Sequence, residues 1–200
     1  MLLEKLKNYE IILASKSPRR HLLLKELGID FKTAEIEIDE KYPDNLLREQ
    51  IALYLCELKA NAFKFINNNE KTLVITADTI VWFNNQVLNK PKDFDEAVEM
   101  LQRLSGEKHQ VYTAVCLKTK NKQKSFFACS DVYFRNLTKE EIYWYVENCK
   151  PYDKAGAYGA QEWLGYIGIE RIEGSYFNVV GLPTQKLFDE LMKFIEIESV

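Results

Sequence analysis

The stretch Leu73–Phe83, LVITADTIVWF, constrains the fold more than any other part of the chain. Dense in β-branched and aromatic residues, it reads as a strand, with Asn84-Asn85 as a hairpin turn and Gln86–Asn89 as the return strand. Helical patterns flank this hairpin. Before it, Leu46–Ile66 places Ile51, Leu55, Leu58 and Ala62 on one inner face. After it, Asp93 with Glu96 makes a capping-box-like start to a helix through Leu104, closed by Ser105-Gly106. The same intermixing runs along the rest of the chain. Tyr9–Ala14 reads as a buried strand; Ser17 and Pro18 then open a helix, which carries Leu22, Leu23 and Leu27 and stops at Gly28. Phe31–Ile38 alternates as a half-exposed strand would. Val111–Lys118 and Lys124–Phe134 look like a strand pair around a polar loop, and Thr138 with Glu141 caps a helix ending before Pro151. A Gly-rich segment, Asp153–Gln161, leads into strand-like Tyr166–Val180 and a last amphipathic helix, Thr184–Ile195. The pattern predicts an α/β fold with a mixed sheet, since hairpins beside crossover helices are incompatible with a purely parallel one.

The chain is 200 residues long and 46% hydrophobic, enough for one continuous core, so residues 1–200 are expected to form one domain. Its polar stretches, Asn67–Lys71 and Lys118–Lys124, are short enough to be loops. With 27 Lys+Arg against 30 Asp+Glu the net charge is −3, which gives no global basic excess for a nucleic-acid polymer. No apolar run approaches the roughly 18 residues of a spanning helix. The opening MLLEKLKNYE lacks the apolar stretch and cleavage site of a signal peptide. Cys56, Cys116, Cys129 and Cys149 form no CxxC pair, so free thiols in a reducing cytosol are expected. His21 and His109 are the only histidines, too few for a His-rich metal site or an obvious triad, and His109 is expected in a turn after Ser105-Gly106. Trp144, within a helix, is expected in the core. The reading is a cytoplasmic protein without a membrane partner.

Three segments break local rules. In Ser15-Lys16-Ser17-Pro18-Arg19-Arg20 the first helical turn carries two cations where acids are preferred, each costing a few tenths of a kcal/mol. An anion would compensate: unpaired N–H groups, the Ser15 and Ser17 hydroxyls and two guanidinium forks all suit phosphate oxygens. Pairing of the arginines with surface carboxylates is the alternative. In the strand, Asp78 points the same way as Val74, Thr76, Ile80 and Trp82, and burying a carboxylate costs several kcal/mol unless it is partnered. It could brace a turn or an internal cation. Lys90, across the hairpin in Asn89-Lys90-Pro91, favours a functional role, since the two could hold a water and a phosphate. The third segment, Asp153-Lys154-Ala155-Gly156-Ala157-Tyr158-Gly159-Ala160-Gln161, lets a backbone approach a ligand closely, though such loops also serve as plain connections.

Together LASKSPRR, ADTIV…NKP, LSGEKHQVYTAV, DKAGAYGAQ and GSYFNVVGLP resemble, in order and spacing, the Maf-type nucleoside triphosphate pyrophosphatases. The resemblance runs from about residue 9 to residue 195. It implies a long, curved mixed sheet with surrounding helices and a nucleotide cleft, related to the inosine triphosphatase architecture, and commonly a homodimer. It also implies hydrolysis of a nucleoside triphosphate to monophosphate and pyrophosphate with a divalent cation, Mg²⁺ or Mn²⁺. On this resemblance Asp78 matches the proton acceptor. Ser15, Ser17, Arg19 and Arg20 match the phosphate-binding turn, and Lys59 and Lys90 match the lysines of the KA and KP blocks. Glu35, Glu37 and Asp39 lie on the family's acidic strand, one or more on the metal side. Arg19, Thr79 and Gln161 match the branch acting on dTTP and UTP. A sister branch acting on methylated GTP has Trp for the first arginine and an acid for the glutamine. Glu162-Trp163-Leu164 departs from the glycine-led stretch expected after Gln161. A non-catalytic nucleotide-binding regulator of division and a purine or 7-methyl-GTP pyrophosphatase are the rival readings.

Overall fold

The computed structural model describes residues 2–65 and 70–196. Seven strands and eight α-helices are found among them. In chain order these are α1 (Leu2–Leu6), β1 (Glu10–Ala14), α2 (Pro18–Glu26), β2 (Lys32–Ala34), α3 (Glu49–Ala62), β3 (Thr72–Phe83), β4 (Gln86–Leu88) and α4 (Phe94–Leu104). They continue with β5 (Lys108–Lys118), β6 (Gln123–Phe134), α5 (Lys139–Cys149), a 3-10 turn at Ala155–Ala157, α6 (Trp163–Gly168), β7 (Ile169–Glu173), α7 (Tyr176–Val180) and α8 (Thr184–Glu196). The strands pair in the order β2-β1-β3-β5-β6-β7, with β4 added to β3. β1 is parallel to β2 and β3, while β3–β4 and β6–β7 are antiparallel. The sheet is mixed, as expected.

Contacts group the chain into two compact units. The first comprises residues 1–78, 113–128 and 181–200; the second comprises 79–112 and 129–180. In the first, β1 lies between β2 and β3, with Ile12 opposite both Lys32 and Val74. Its interior holds Leu13, Leu24, Ile51, Leu73, Ile75, Leu187 and Phe194, all buried. In the second, Val81, Phe83, Leu101, Leu104, Phe134, Tyr145 and Leu164 belong to one core. A fully buried leucine such as Leu104 or Leu164 contributes about 1.5–3 kcal/mol relative to an exposed one.

Local signals set most element ends. Asn84 and Asn85 both take positive φ, 48° and 60°, as the tight turn between β3 and β4 requires. The Asp93 side chain accepts from the Glu96 N–H at 2.9 Å, and Thr138 with Glu141 completes a capping box. Five expectations are corrected. Tyr166–Val180 is not one strand but α6, β7 and α7. A Cβ on Gly165 would stand 2.4 Å from the Ala160 carbonyl oxygen, so this glycine lets α6 close onto the loop before it, and Gly174 (φ 114°) ends β7. The strand expected over Phe31–Ile38 shrinks to Lys32–Ala34. His109 lies buried within β5, not in a turn. Trp144 is exposed, its ring 4.5 Å from that of Trp163, while neighbouring Tyr145 takes the core position. The helix expected over Leu46–Ile66 runs only over Glu49–Ala62, because Phe63 turns to extended backbone; Ile66 itself and part of the Asn67–Lys71 loop lie outside the described residues.

Candidate active site

In the first unit the turn after β1 is built by its own side chains. The Ser15 hydroxyl accepts from the Ser17 N–H at 3.2 Å and from Arg20 Nη1 at 3.4 Å. The Ser15 carbonyl lies 2.6 Å from His21 Nε2; a carbonyl only accepts, so this nitrogen carries the proton. Pro18 occupies the first helical position of α2 and Ser17 is the N-cap, yet the Ser17 hydroxyl makes no cap bond. The first turn carries no acid, as the sequence shows.

Arg20 is more deeply engaged than the phosphate reading requires. Its Nε donates to the Gly181 carbonyl at 2.8 Å and its Nη1 to the Ala77 carbonyl at 2.9 Å. Arg20 thus ties α2 to the residue before Asp78. Burial draws its pKa below the ordinary arginine value, with Asp78 acting the other way, and a guanidinium stays charged throughout the working range.

Asp78 sits on β3 with a side chain 11% exposed, and Lys59, in the last turn of α3, reaches it at 2.5 Å with 14% exposure. The second partner of Lys59 is Glu40, at 2.8 Å. Two residues before Asp78, on the same strand face, the Thr76 hydroxyl donates to the Cys56 carbonyl of α3 at 2.6 Å. This bond holds helix to strand one turn from Lys59, so the ion pair rests on fixed backbone. The adjacent Cys56 thiol is pushed upward by burial and is no nucleophile.

The other acidic residues go elsewhere. Glu35 and Glu37 lie 3.2 and 3.4 Å from Lys16, and these hydrogen bonds raise the Lys16 pKa; Asp39 pairs with Lys41 at 2.7 Å. Sequence reasoning missed Glu40. The signal was its place in the acidic run, but period-two alternation fails there because β2 ends at Ala34. Among the described residues no three His, Cys, Asp or Glu side chains converge as a ready-made metal cage.

The second unit holds Thr79, Lys90 and Gln161. Thr79 follows Asp78 on β3 and projects from the opposite face. Lys90 is exposed, two residues beyond the end of β4, and the preceding Asn89 carbonyl accepts the Gly156 N–H at 3.2 Å. That bond brings the Gly-rich loop to the Lys90 segment. Gly156 has φ 70°, and a Cβ there would meet the Val81 methyls at 3.1 Å, so glycine is required. Gln161 is half-buried just before α6. The loop is braced by residues that the sequence did not single out as a set: Glu162, Tyr145 and Lys154. Lys154 lies 2.8 Å from Glu162, and the Tyr145 hydroxyl donates to the same carboxylate.

These features define an α/β protein whose buried carboxylate is bracketed by cations, the electrostatic setting of enzymes that handle phosphate. Comparison with known proteins narrows the class. The family model described as Maf-like protein matches residues 10–194, and the chain belongs to that family. It is 51% identical over 193 residues to the dTTP/UTP pyrophosphatase of Bacteroides thetaiotaomicron, covering 96% of this chain and 100% of that one. It is 52% identical over 194 residues to the dTTP/UTP pyrophosphatase of Parabacteroides distasonis, covering 96% and 100%. With the protein of the same description from Flavobacterium psychrophilum it shares 50% identity over 189 residues, covering 94% and 96%. No helix among the described residues is long and apolar enough to cross a membrane.

Proposed function

We propose that this chain hydrolyses dTTP and UTP to the nucleoside monophosphate and pyrophosphate, the activity its relatives are named for. The observation that carries the reading is the Glu40–Lys59–Asp78 chain of ion pairs at the end of α3. Asp78 takes a proton from a water attacking the α-phosphorus in line, and the bond from that phosphorus to the bridging oxygen breaks as pyrophosphate leaves. In the free protein Lys59 holds Asp78; an arriving polyphosphate competes for the ammonium and releases the carboxylate to act as base. Ser17 and Arg19 bind phosphate oxygens, as does Lys90. Ser15 and Arg20 shape the turn that presents them. A non-catalytic nucleotide sensor would have no use for a buried carboxylate held this way.

Mg²⁺ or Mn²⁺ belongs to this reading. The donor set fits, because such ions take one or two carboxylates together with substrate phosphates, and Glu40 presents a carboxylate beside Asp78 with its side chain 49% exposed. Glu40 would hold the ion with the phosphate oxygens. Glu35, Glu37 and Asp39, each paired with a lysine, are second choices. When bound, the ion supplies charge neutralisation on the leaving pyrophosphate. For the base, Gln161 both donates and accepts, matching the O4/N3–H edge of thymine or uracil, with Thr79 and Arg19 as further specificity residues. A single catalytic domain over residues 1–200, a homodimer and a cytoplasmic setting complete the proposal.

The test is pyrophosphate release from dTTP, UTP, CTP, dATP, GTP and 7-methyl-GTP with Mg²⁺. Release from dTTP and UTP well above the purines is expected. Equal efficiency across the panel refutes the pyrimidine assignment, and no release from any refutes the enzyme.

A further inference from the structure

Gln161 has no side-chain hydrogen bond to the protein among the described residues, so the direction of its amide depends on its backbone. The next residue supplies an anchor. One Glu162 oxygen lies 2.8 Å from Lys154 Nζ, and the other accepts from the Tyr145 hydroxyl. The Tyr145 oxygen in turn accepts the Gly159 N–H at 3.2 Å, and the Glu162 N–H donates to the Gly159 carbonyl at 3.0 Å. Gly159 to Glu162 is thereby closed into a ring of bonds, with Gln161 inside it. The closure is tight: a Cβ on Gly159 would stand 2.9 Å from Glu162 Cδ.

Both partners of Glu162 in this anchor are buried, and Glu162 itself is 30% exposed. The Lys154 side chain is 9% exposed and also bonds Asp153 at 2.6 Å, while Tyr145 belongs to the core. Burying an ion pair seldom stabilises a fold more than apolar packing would, but it does select one geometry. Here the geometry selected is that of the segment carrying Gln161.

We infer that Glu162 is a positioning residue which, through Lys154 and Tyr145, fixes the backbone of Gln161 and so sets the selectivity for a pyrimidine base. The inference rests on the proposed base-reading role of Gln161. Glu162 and Tyr145 act on discrimination between bases, not on the transfer chemistry.

The experiment measures kcat/KM for dTTP and dATP in wild type, Glu162→Ala, Glu162→Gln, Tyr145→Phe and Gln161→Ala, and in the last combined with Tyr145→Phe. Urea unfolding confirms that each variant is folded. Tyr145→Phe, which leaves the ion pair intact, keeps the test open if Glu162→Ala does not fold. The dTTP-over-dATP ratio should fall roughly 10- to 100-fold in Glu162→Ala and about tenfold in Tyr145→Phe, with part recovered in Glu162→Gln. In the Gln161→Ala background Tyr145→Phe should leave the ratio unchanged. A ratio held at wild-type value in Tyr145→Phe and both Glu162 variants, but lost in Gln161→Ala, overturns this inference alone. So does an equal fall in both backgrounds. A wild type that does not prefer dTTP overturns it together with the base-reading role.

Discussion

Replacing His109 by asparagine should flatten the acid side of the stability curve. His109 is buried in β5, its Nε2 2.7 Å from the Tyr158 hydroxyl and its Nδ1 without a partner. The edges of Phe134 and Tyr158 pack on the ring, with centroids at 5.1 and 5.3 Å. A second N–H on this imidazole would point at nothing that accepts it. Burial accordingly pushes the pKa from 6.5 down to about 3, with Asp131 opposing weakly. The unfolded chain therefore binds a proton below about pH 6.5 that the folded chain refuses until about pH 3. Stability from this group is fully present above the unfolded value and is lost as pH falls through the window between the two. At about 1.4 kcal/mol per pH unit, the loss is about 2 kcal/mol between pH 7.5 and 5 and about 5 kcal/mol over the whole window. Urea unfolding of wild type and His109→Asn at pH 7.5, 6.5, 5.5 and 5.0 isolates the term, since the carboxylates are common to both. The wild type should lose about 2 kcal/mol more than the variant by pH 5. Parallel curves would refute the reasoning. Tyr158 belongs to the Gly-rich loop, so the loop's bracing weakens along with this bond.

Three further outcomes follow from the first unit. Asp78→Asn should cut turnover by ~10²–10⁴-fold while thermal stabilisation by dTTP persists; near-normal turnover in a folded variant removes Asp78 from the mechanism. Arg20→Ala should destabilise by about 1.5–3 kcal/mol in urea unfolding, because two carbonyls lose a charged donor, and Arg20→Lys should recover only part. Unchanged stability would return Arg20 to a purely phosphate-binding role. Glu40→Gln should raise the Mg²⁺ concentration giving half-maximal activity roughly tenfold or more, and Glu35→Gln should shift it little. The reverse ranking would move the metal to the Lys16 side.

How much could be read from the sequence depended on whether the signal was local. The caps at Asp93 and Thr138, the turn at Asn84-Asn85 and the Pro18 helix start are decided within a few residues, and the structure bears them out. Asp78 stood out because a carboxylate in an apolar strand demands a partner. Which partner it takes is tertiary. Lys59 is 19 residues away on a helix, and Glu40 belongs to a segment whose alternation misled. The reading of Tyr166–Val180 as a strand failed for a similar reason: aromatic and β-branched content suggested β structure, whereas Gly165 permits a helix whose justification is the Ala160 carbonyl beside it. The Arg20 misfit was correctly noticed and only half explained, since its first partners are carbonyls of the protein itself.

The charge balance of the first unit bears on the proposed role of the metal. Asp78 and Glu40 carry two negative charges, and Lys59 and Arg20 carry two positive ones, so the cluster running from buried Asp78 to half-exposed Glu40 is neutral in the free protein. A carboxylate at this depth would otherwise cost several kcal/mol, and removing Lys59 alone would leave that cost uncompensated. A nucleoside triphosphate brings about four negative charges into this neutral cluster. Lys16 cannot offset them, being engaged by Glu35 and Glu37. Arg19 adds one positive charge in the first turn of α2. On the proposed reading, the deficit that remains within the unit would be met by a divalent cation entering with the phosphates, with Glu40 as the carboxylate that meets it. It also sets a directional expectation: binding of pyrophosphate to the first-turn cations should strengthen in Glu40→Gln without metal, and weaken relative to wild type once Mg²⁺ is added. A carboxylate serving only to brace Lys59 would give the same sign in both conditions, so calorimetric titration with and without Mg²⁺ separates the two roles.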